Sequence, residues 1–147
     1  MSTSATTTTF TGTARTVIKA RAEKVWYALT DPELIKQYLF GTEVVSDWKV
    51  GSSIAYKGVW EGKPYEDKGK IIELIPNRLL KTTYWSSLSG GEDKPENYLV
   101  VKYQLSESNG ETTVTITVDN NPTQEAAGQV AANWASVLQV LKELLEK

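Results

Sequence analysis

At 147 residues and a net charge of -2, the chain suits one domain and lacks the basic face that nucleic acid or an anionic membrane surface demands. It has neither cysteine nor histidine, which removes disulfides, thiolate chemistry, cysteine–zinc sites, and the commonest general base and metal ligand. Any chemistry must rest on Asp, Glu, Lys, Tyr, Ser or Thr, and no cofactor or metal is expected.

Met1 to Thr9 are almost all Ser and Thr, with no basic start and no apolar stretch. They read as a flexible tail, not as a secretory signal. The tail is taken to residue 12 and a single domain from Thr13 to Lys147. No apolar run approaches the roughly 20 residues that span a bilayer, so a cytoplasmic protein without a membrane span is expected.

Arg15 to Ala20 reads as a first strand, with Val17 and Ile18 β-branched. Glu23 to Thr30 carries Val25, Trp26 and Leu29 at helical spacing. A second short helix follows, with Asp31 as its cap and Pro32 where a missing N–H costs nothing. Leu34, Ile35, Tyr38 and Leu39 form its apolar stripe and Gly41 ends it.

From Thr42 to Asp119 the pattern turns to strands: Thr42 to Ser46, Ile54 to Trp60, Glu66 to Ile75, Leu79 to Trp85, Asn97 to Leu105 and Thr112 to Asp119. A turn around Gly51 and a turn segment from Glu61 to Pro64 flank the second of these. Ile54, Tyr56 and Trp60 share one face, as do Leu99, Val101, Tyr103 and Leu105, and as do Val114, Ile116 and Val118. Pro76-Asn77 breaks the third strand, and Ser86 to Glu96 is a polar loop. Asn109-Gly110 between two alternating runs predicts a tight hairpin, because both residues tolerate positive φ.

The chain closes with a long helix, Asn121 its expected cap, Pro122 its first helical residue and Gln124 able to reach back. Ala127, Val130, Ala131, Trp134, Val137, Leu138, Leu141 and Leu145 recur at spacings of three and four. Small residues from 127 to 132 should border a hollow, and the Leu-rich end from Leu138 should seal the core. The implied architecture is α+β: an antiparallel meander of six or seven strands that curves around one amphipathic helix, with two short helices plugging an end.

The segment from Val25 to Leu34, V-W-Y-A-L-T-D-P-E-L, resembles the opening of the START-like (SRPBCC, helix-grip) superfamily. It is most similar to the branch of the activator of heat-shock-protein-90 ATPase. Trp48 and Gly51, Gly69 with Ile71, Ile72 and Glu73, the run from Ile75 to Leu79, Thr82 to Trp85, and Trp134 with Leu138, Leu141, Lys142 and Leu145 follow that branch in order. The resemblance implies a helix-grip fold with a cavity between sheet and closing helix. Members bind lipids, sterols, polyketides or other apolar molecules, some are enzymes, and the branch includes a stress-response co-chaperone.

The chain has 5 Trp and 7 Tyr against 2 Phe, so its rings bring polar handles that need partners when buried. Tyr56, Trp60, Tyr84, Trp85, Tyr103, Val130, Ala131, Trp134 and Leu138 are the candidate cavity wall. Ordinary core packing is the alternative for each. Glu73 is the one mid-strand carboxylate considered as an acid or base, with a solvent-facing position favoured. Glu66 and Asp67 are adjacent, point to opposite faces and cannot work as a pair. Asn133 is expected to face water. Gly90-Gly91 lacks the Lys-Ser/Thr of a phosphate loop, and the carboxylates show no converging metal set.

Three functions follow. The first is non-catalytic binding of a small hydrophobic or aromatic ligand. The second is a co-chaperone-like module whose partner is a chaperone. The third is a cyclase- or hydrolase-type enzyme in the cavity, with Glu73 or the tyrosines as its acid or base. A monomer or weak homodimer is expected.

Overall fold

The computed structural model describes residues 9–39, 41–86 and 92–146, apart from the side chains of Trp60 and Pro95. In chain order these form β1 (Phe10–Ile18), α1 (Ala22–Thr30), α2 (Pro32–Tyr38), β2 (Glu43–Ser46), β3 (Ser53–Trp60), β4 (Lys63–Ile75), β5 (Leu79–Ser86), β6 (Leu99–Ser108), β7 (Glu111–Asn121) and α3 (Gln124–Leu145). One antiparallel sheet contains all seven strands in the order β1-β7-β6-β5-β4-β3-β2. The meander from β2 to β7 runs outward strand by strand, and β1 returns to the far edge beside β7. This is the expected helix-grip order.

Asn109 and Gly110 both have positive φ, at 54° and 80°, and Ser108 pairs with Glu111 across them. Glu61 and Gly62 make a second turn of the same kind, with Trp60 opposite Lys63. The turn expected over Glu61 to Pro64 is therefore two residues long, and β4 starts at Lys63. β6 starts at Leu99, because Pro95–Asn97 form a single 3-10 turn. β1 starts at Phe10, well before Arg15. Phe10 pairs with Asn121 and Gly12 with Val118, so residues 10–12 belong to the sheet and not to the tail. The rest of that tail, residues 1–8, lies outside the described residues.

The two short helices follow their local signals. Asp31 Oδ1 accepts from the Glu33 N–H at 3.1 Å, and Gly41, at φ 88°, donates to the Lys36 carbonyl at 2.8 Å. Helix α1 has no cap from Arg21. Its first N–H, on Ala22, reaches Glu107 Oε1 of β6 at 2.7 Å, a cap supplied from across the fold.

The cap of α3 is a correction to the sequence reading. Asn121 ends β7 and is 1% exposed, with its amide nitrogen donating to the carbonyls of Phe10 and Val118 at 2.9 and 2.8 Å. Already committed to tying β1 to β7, it leaves the cap to Thr123, whose Oγ1 accepts from the Ala126 N–H at 3.0 Å.

Helix α3 packs chiefly on β1 and secondarily on β7. Its C-terminal half buries Val137, Leu138, Leu141 and Leu145 in one cluster with Ile18, Val25, Ala28, Leu29, Leu105 and Val114. Lys24 Nζ donates to the Leu145 carbonyl at 3.0 Å, placing a cation at the helix C-terminus. Among the described residues, no helix is long and apolar enough to cross a membrane.

At two points backbone meets backbone too closely for a side chain. A Cβ on Gly12 would strike the Ala127 carbonyl of α3, and one on Gly69 would strike the Thr83 carbonyl of β5. Near Gly69 the Lys70 N–H turns to Thr83 Oγ1 at 2.9 Å, and Ile72 is an extra residue between the pairs Ile71–Thr82 and Glu73–Lys81. Such a bulge bends its strand and increases the local twist. Because the atom in the way at Gly69 is backbone, Gly69→Ala should destabilise the fold by about 2–4 kcal/mol in chemical denaturation. A change below about 0.5 kcal/mol would mean that β4 and β5 can separate freely here.

Candidate functional site

Between α3 and the inner face of β3 to β6 lies a hollow of about 270 Å³. Strand alternation places Tyr56 of β3, Tyr65 and Asp67 of β4, Tyr84 of β5, and Leu99, Val101 and Tyr103 of β6 on its wall. Val118 of β7, Leu39 after α2, and Thr42 before β2 complete the sheet side, and Val130, Asn133 and Trp134 of α3 form the lid. Five aromatic rings thus surround a space with three polar side chains other than tyrosine and no lysine or arginine among the described residues.

The rings support one another. Tyr56 and Tyr84 meet edge to face with centroids 5.5 Å apart, as do Tyr103 and Trp134. Tyr65 lies over Gly58, and its hydroxyl bonds Thr42 Oγ1 at 2.8 Å. Tyr38, beneath the hollow, donates to the Ala28 carbonyl at 3.1 Å. The Tyr56 hydroxyl neighbours those of Tyr103 and Thr82, although Thr82 Oγ1, 1% exposed, has no well-formed hydrogen bond.

Asp67 is the unusual member. It is 6% exposed, and the Tyr84 hydroxyl donates to its Oδ2. Its Oδ1 is buried without a hydrogen-bond partner. A buried acceptor with no donor carries a desolvation cost of roughly 1–3 kcal/mol.

Burial holds the inner tyrosines neutral. It pushes Tyr56 up to about 12 and raises Tyr38 and Tyr103 as well. Tyr84 is raised by burial and then by its bond to Asp67. At neutral pH these phenols are hydrogen-bond donors, not bases.

A family model described as activator of Hsp90 ATPase homolog 1-like protein matches residues 19–146. The chain belongs to this family. Among solved structures it is 46% identical to ChR145 from Cytophaga hutchinsonii, with a TM-score of 0.82 over 93% of this chain and 94% of that one. It is 27% identical to the protein in the solution structure of the Aha1 dimer from Colwellia psychrerythraea, with a TM-score of 0.71 over 93% and 96% of the two chains. CalU16 from Micromonospora echinospora, at 21% identity and a TM-score of 0.71 over 94% and 86%, shares the fold. No protein of curated function matches the chain.

In this member of the activator of Hsp90 ATPase homolog 1-like family, Tyr56, Tyr84, Tyr103, Val130 and Trp134 of the nine candidates line the hollow. The Trp60 side chain lies outside the described residues. Trp85 faces away, stacking on Tyr98 at 6.4 Å beneath Lys68 Nζ and donating to the Glu92 carbonyl at 3.1 Å. Ala131 lies over Gly12, in the tight contact with β1, and Leu138, 2% exposed, sits in the sealed core. Of the small residues from 127 to 132, Ala127 and Ala131 pack closely on β1 and Gly128 and Ala132 are exposed, so none of these four borders the hollow.

Asn133, expected in water, stands exposed at the rim, with Oδ1 accepting from Gln129 Nε2 at 3.1 Å. Glu73 faces solvent and pairs with Lys81 at 3.7 Å. Neither group named for acid–base work in the cavity is therefore suited to it. The sequence reading missed several wall residues, Tyr65, Thr42 and Leu39 among them, and the most unusual of these is Asp67. Its signal was Ile71, four residues on and facing the core, which fixes the same side for Gly69 and Asp67.

The tyrosines set an alkaline limit. Each keeps its proton in the fold after the unfolded chain has lost its own, so the stability they contribute is intact below pH 10 and declines through about pH 12 for Tyr56. Thermal unfolding midpoints should show no tyrosine-linked fall up to about pH 10 and should fall above it. Ultraviolet tyrosinate absorbance from Tyr38, Tyr56, Tyr84 and Tyr103 should appear together with unfolding. Ionisation of all seven tyrosines in a still-folded protein would contradict this burial.

Proposed function

We propose that the protein binds a small hydrophobic or aromatic molecule in the hollow beneath α3 and holds it without transforming it. The observation that carries this reading is an apolar space of about 270 Å³ walled by five aromatic rings. Its size sits at the lower edge of small-molecule pockets, roughly 300–1,000 Å³, which favours a ligand of one or two rings over a long lipid chain. Neutral phenols give such a ligand ring faces and orienting donors. They do not give it a general base at neutral pH.

A second reading rests on family membership and on the likeness to the Colwellia Aha1 dimer: a co-chaperone-like module that contacts an Hsp90-type ATPase, as a monomer or a weak homodimer. Stimulation of a purified chaperone's ATPase rate by this protein would support it. An unchanged rate at saturating protein would set it aside.

For the ligand reading, Val130→Trp puts an indole into the hollow from the lid side, at a half-buried position that packs against the core cluster without belonging to it. An uncharged naphthalene probe, followed by quenching of tryptophan fluorescence, should bind the native protein in the micromolar range. The variant should bind it at least about tenfold more weakly while its unfolding midpoint stays close to the native value. Equal binding by both proteins would move the site elsewhere, and no binding by either would remove the reading.

A further inference from the structure

The ligand-binding reading leaves open what polar group the ligand carries, and the wall bears on that. Asp67 lines the hollow nine-tenths buried, with one oxygen held by Tyr84 and the other without any donor. The other hydroxyls are engaged locally: Tyr65 with Thr42, and Tyr56 beside Tyr103. Among the described residues, no cation of the chain enters. The neighbouring Lys68 belongs to the opposite face of β4, where it pairs with Asp93 at 2.5 Å and covers the Trp85 ring. The wall thus offers an anion with a vacant acceptor, ringed by the electron-rich faces and edges of tyrosine and tryptophan.

A neutral hydroxyl or amide would fill the vacant acceptor but make no use of the ring quadrupoles. A carboxylate or phosphate would be repelled. A protonated amine answers both features, because an ammonium group pairs with a carboxylate and is attracted to aromatic rings in a water-poor site. Resting on the ligand-binding reading, we propose that the hollow selects a small arylalkyl or alkyl amine in its cationic form, its ammonium group on the Asp67 carboxylate and its hydrocarbon part among Tyr56, Tyr103 and Trp134.

The test compares two probes of one shape, phenylpropylammonium chloride and phenylpropanol, by calorimetric titration of the full chain. The native protein should bind the ammonium at least about tenfold more tightly than the alcohol. Asp67→Asn should abolish that preference while leaving the alcohol's affinity within about threefold of native. Tyr84→Phe, which keeps the carboxylate, should retain it. Equal affinities in the native protein, or a preference that survives Asp67→Asn, would overturn the proposal. Should Asp67→Asn fail to fold, chemical-shift changes in the native protein decide: changes centred on Asp67 and Tyr84 support it, and changes confined to other regions overturn it. If the ammonium gains nothing while the neutral naphthalene probe still binds in a manner sensitive to Val130→Trp, the amine inference fails and the cavity reading stands. If no probe binds, both fail.

Discussion

One helix has to cover a sheet far wider than itself. Seven strands at about 4.8 Å spacing make a sheet roughly 29 Å across, and a helix with its side chains is about 10–12 Å wide. The chain meets this mismatch asymmetrically. Helix α3 is pressed onto the β1–β7 side, where Gly12 lets the two backbones touch. The rest of the inner face must then be reached by curling the sheet. The Ile72 bulge and the close passage of β4 over β5 at Gly69 fall in the middle of the meander, where curling is needed. The hollow is what the curl leaves unfilled.

The side chains around that hollow suit a gap more than a solid core. Leucine would collapse into it, whereas a phenol is long, rigid, and can reach a partner with its hydroxyl. Tyr65 crosses to Thr42, Tyr38 to the Ala28 carbonyl and Tyr84 to Asp67, so each ring is braced at its far end. Bracing of this kind keeps a pocket preformed, and a preformed pocket loses less conformational freedom when a ligand enters. Asp67 departs from that logic. A buried carboxylate with a vacant acceptor weakens the fold, and an apolar residue of similar size would serve the core better. Its placement makes physical sense if something from outside the chain completes it.

Local pattern carried most of the fold. Alternation set the inward faces of β3, β6 and β7, Asn109-Gly110 set a hairpin, and Asp31-Pro32 set the start of α2. What local pattern leaves out is groups claimed by distant partners. Asn121 has the residue type and position of a cap, but carbonyls of β1 and β7 take its amide. Ala22 is capped from β6 by Glu107, about which nothing near Ala22 gives notice. The close contact at Gly12 exists only once α3 lies on it. The site shows a different kind of failure. Tyr84 and Trp85 are neighbours on one strand, so alternation allows only one of them to face inward, and it is Tyr84. The same parity, carried back from Ile71, turns Asp67 inward.

The division of labour along α3 explains how such a wall can persist. Stability is concentrated away from the hollow, where Leu138 and Leu141 join Ile18, Val25 and Val114 in near-complete burial and Lys24 holds the helix end. Full burial of each such aliphatic side chain contributes about 1.5–3 kcal/mol. At its other end the helix is fixed by the Gly12 contact and the Thr123 cap. Between these anchors the stretch carrying Val130 and Trp134 borders the hollow as well as packing against the buried cluster, and it need not be solid all round to stay in place. A vacant acceptor or an unfilled volume beneath it then costs a few kcal/mol locally, without weakening the contacts that hold the helix to the sheet.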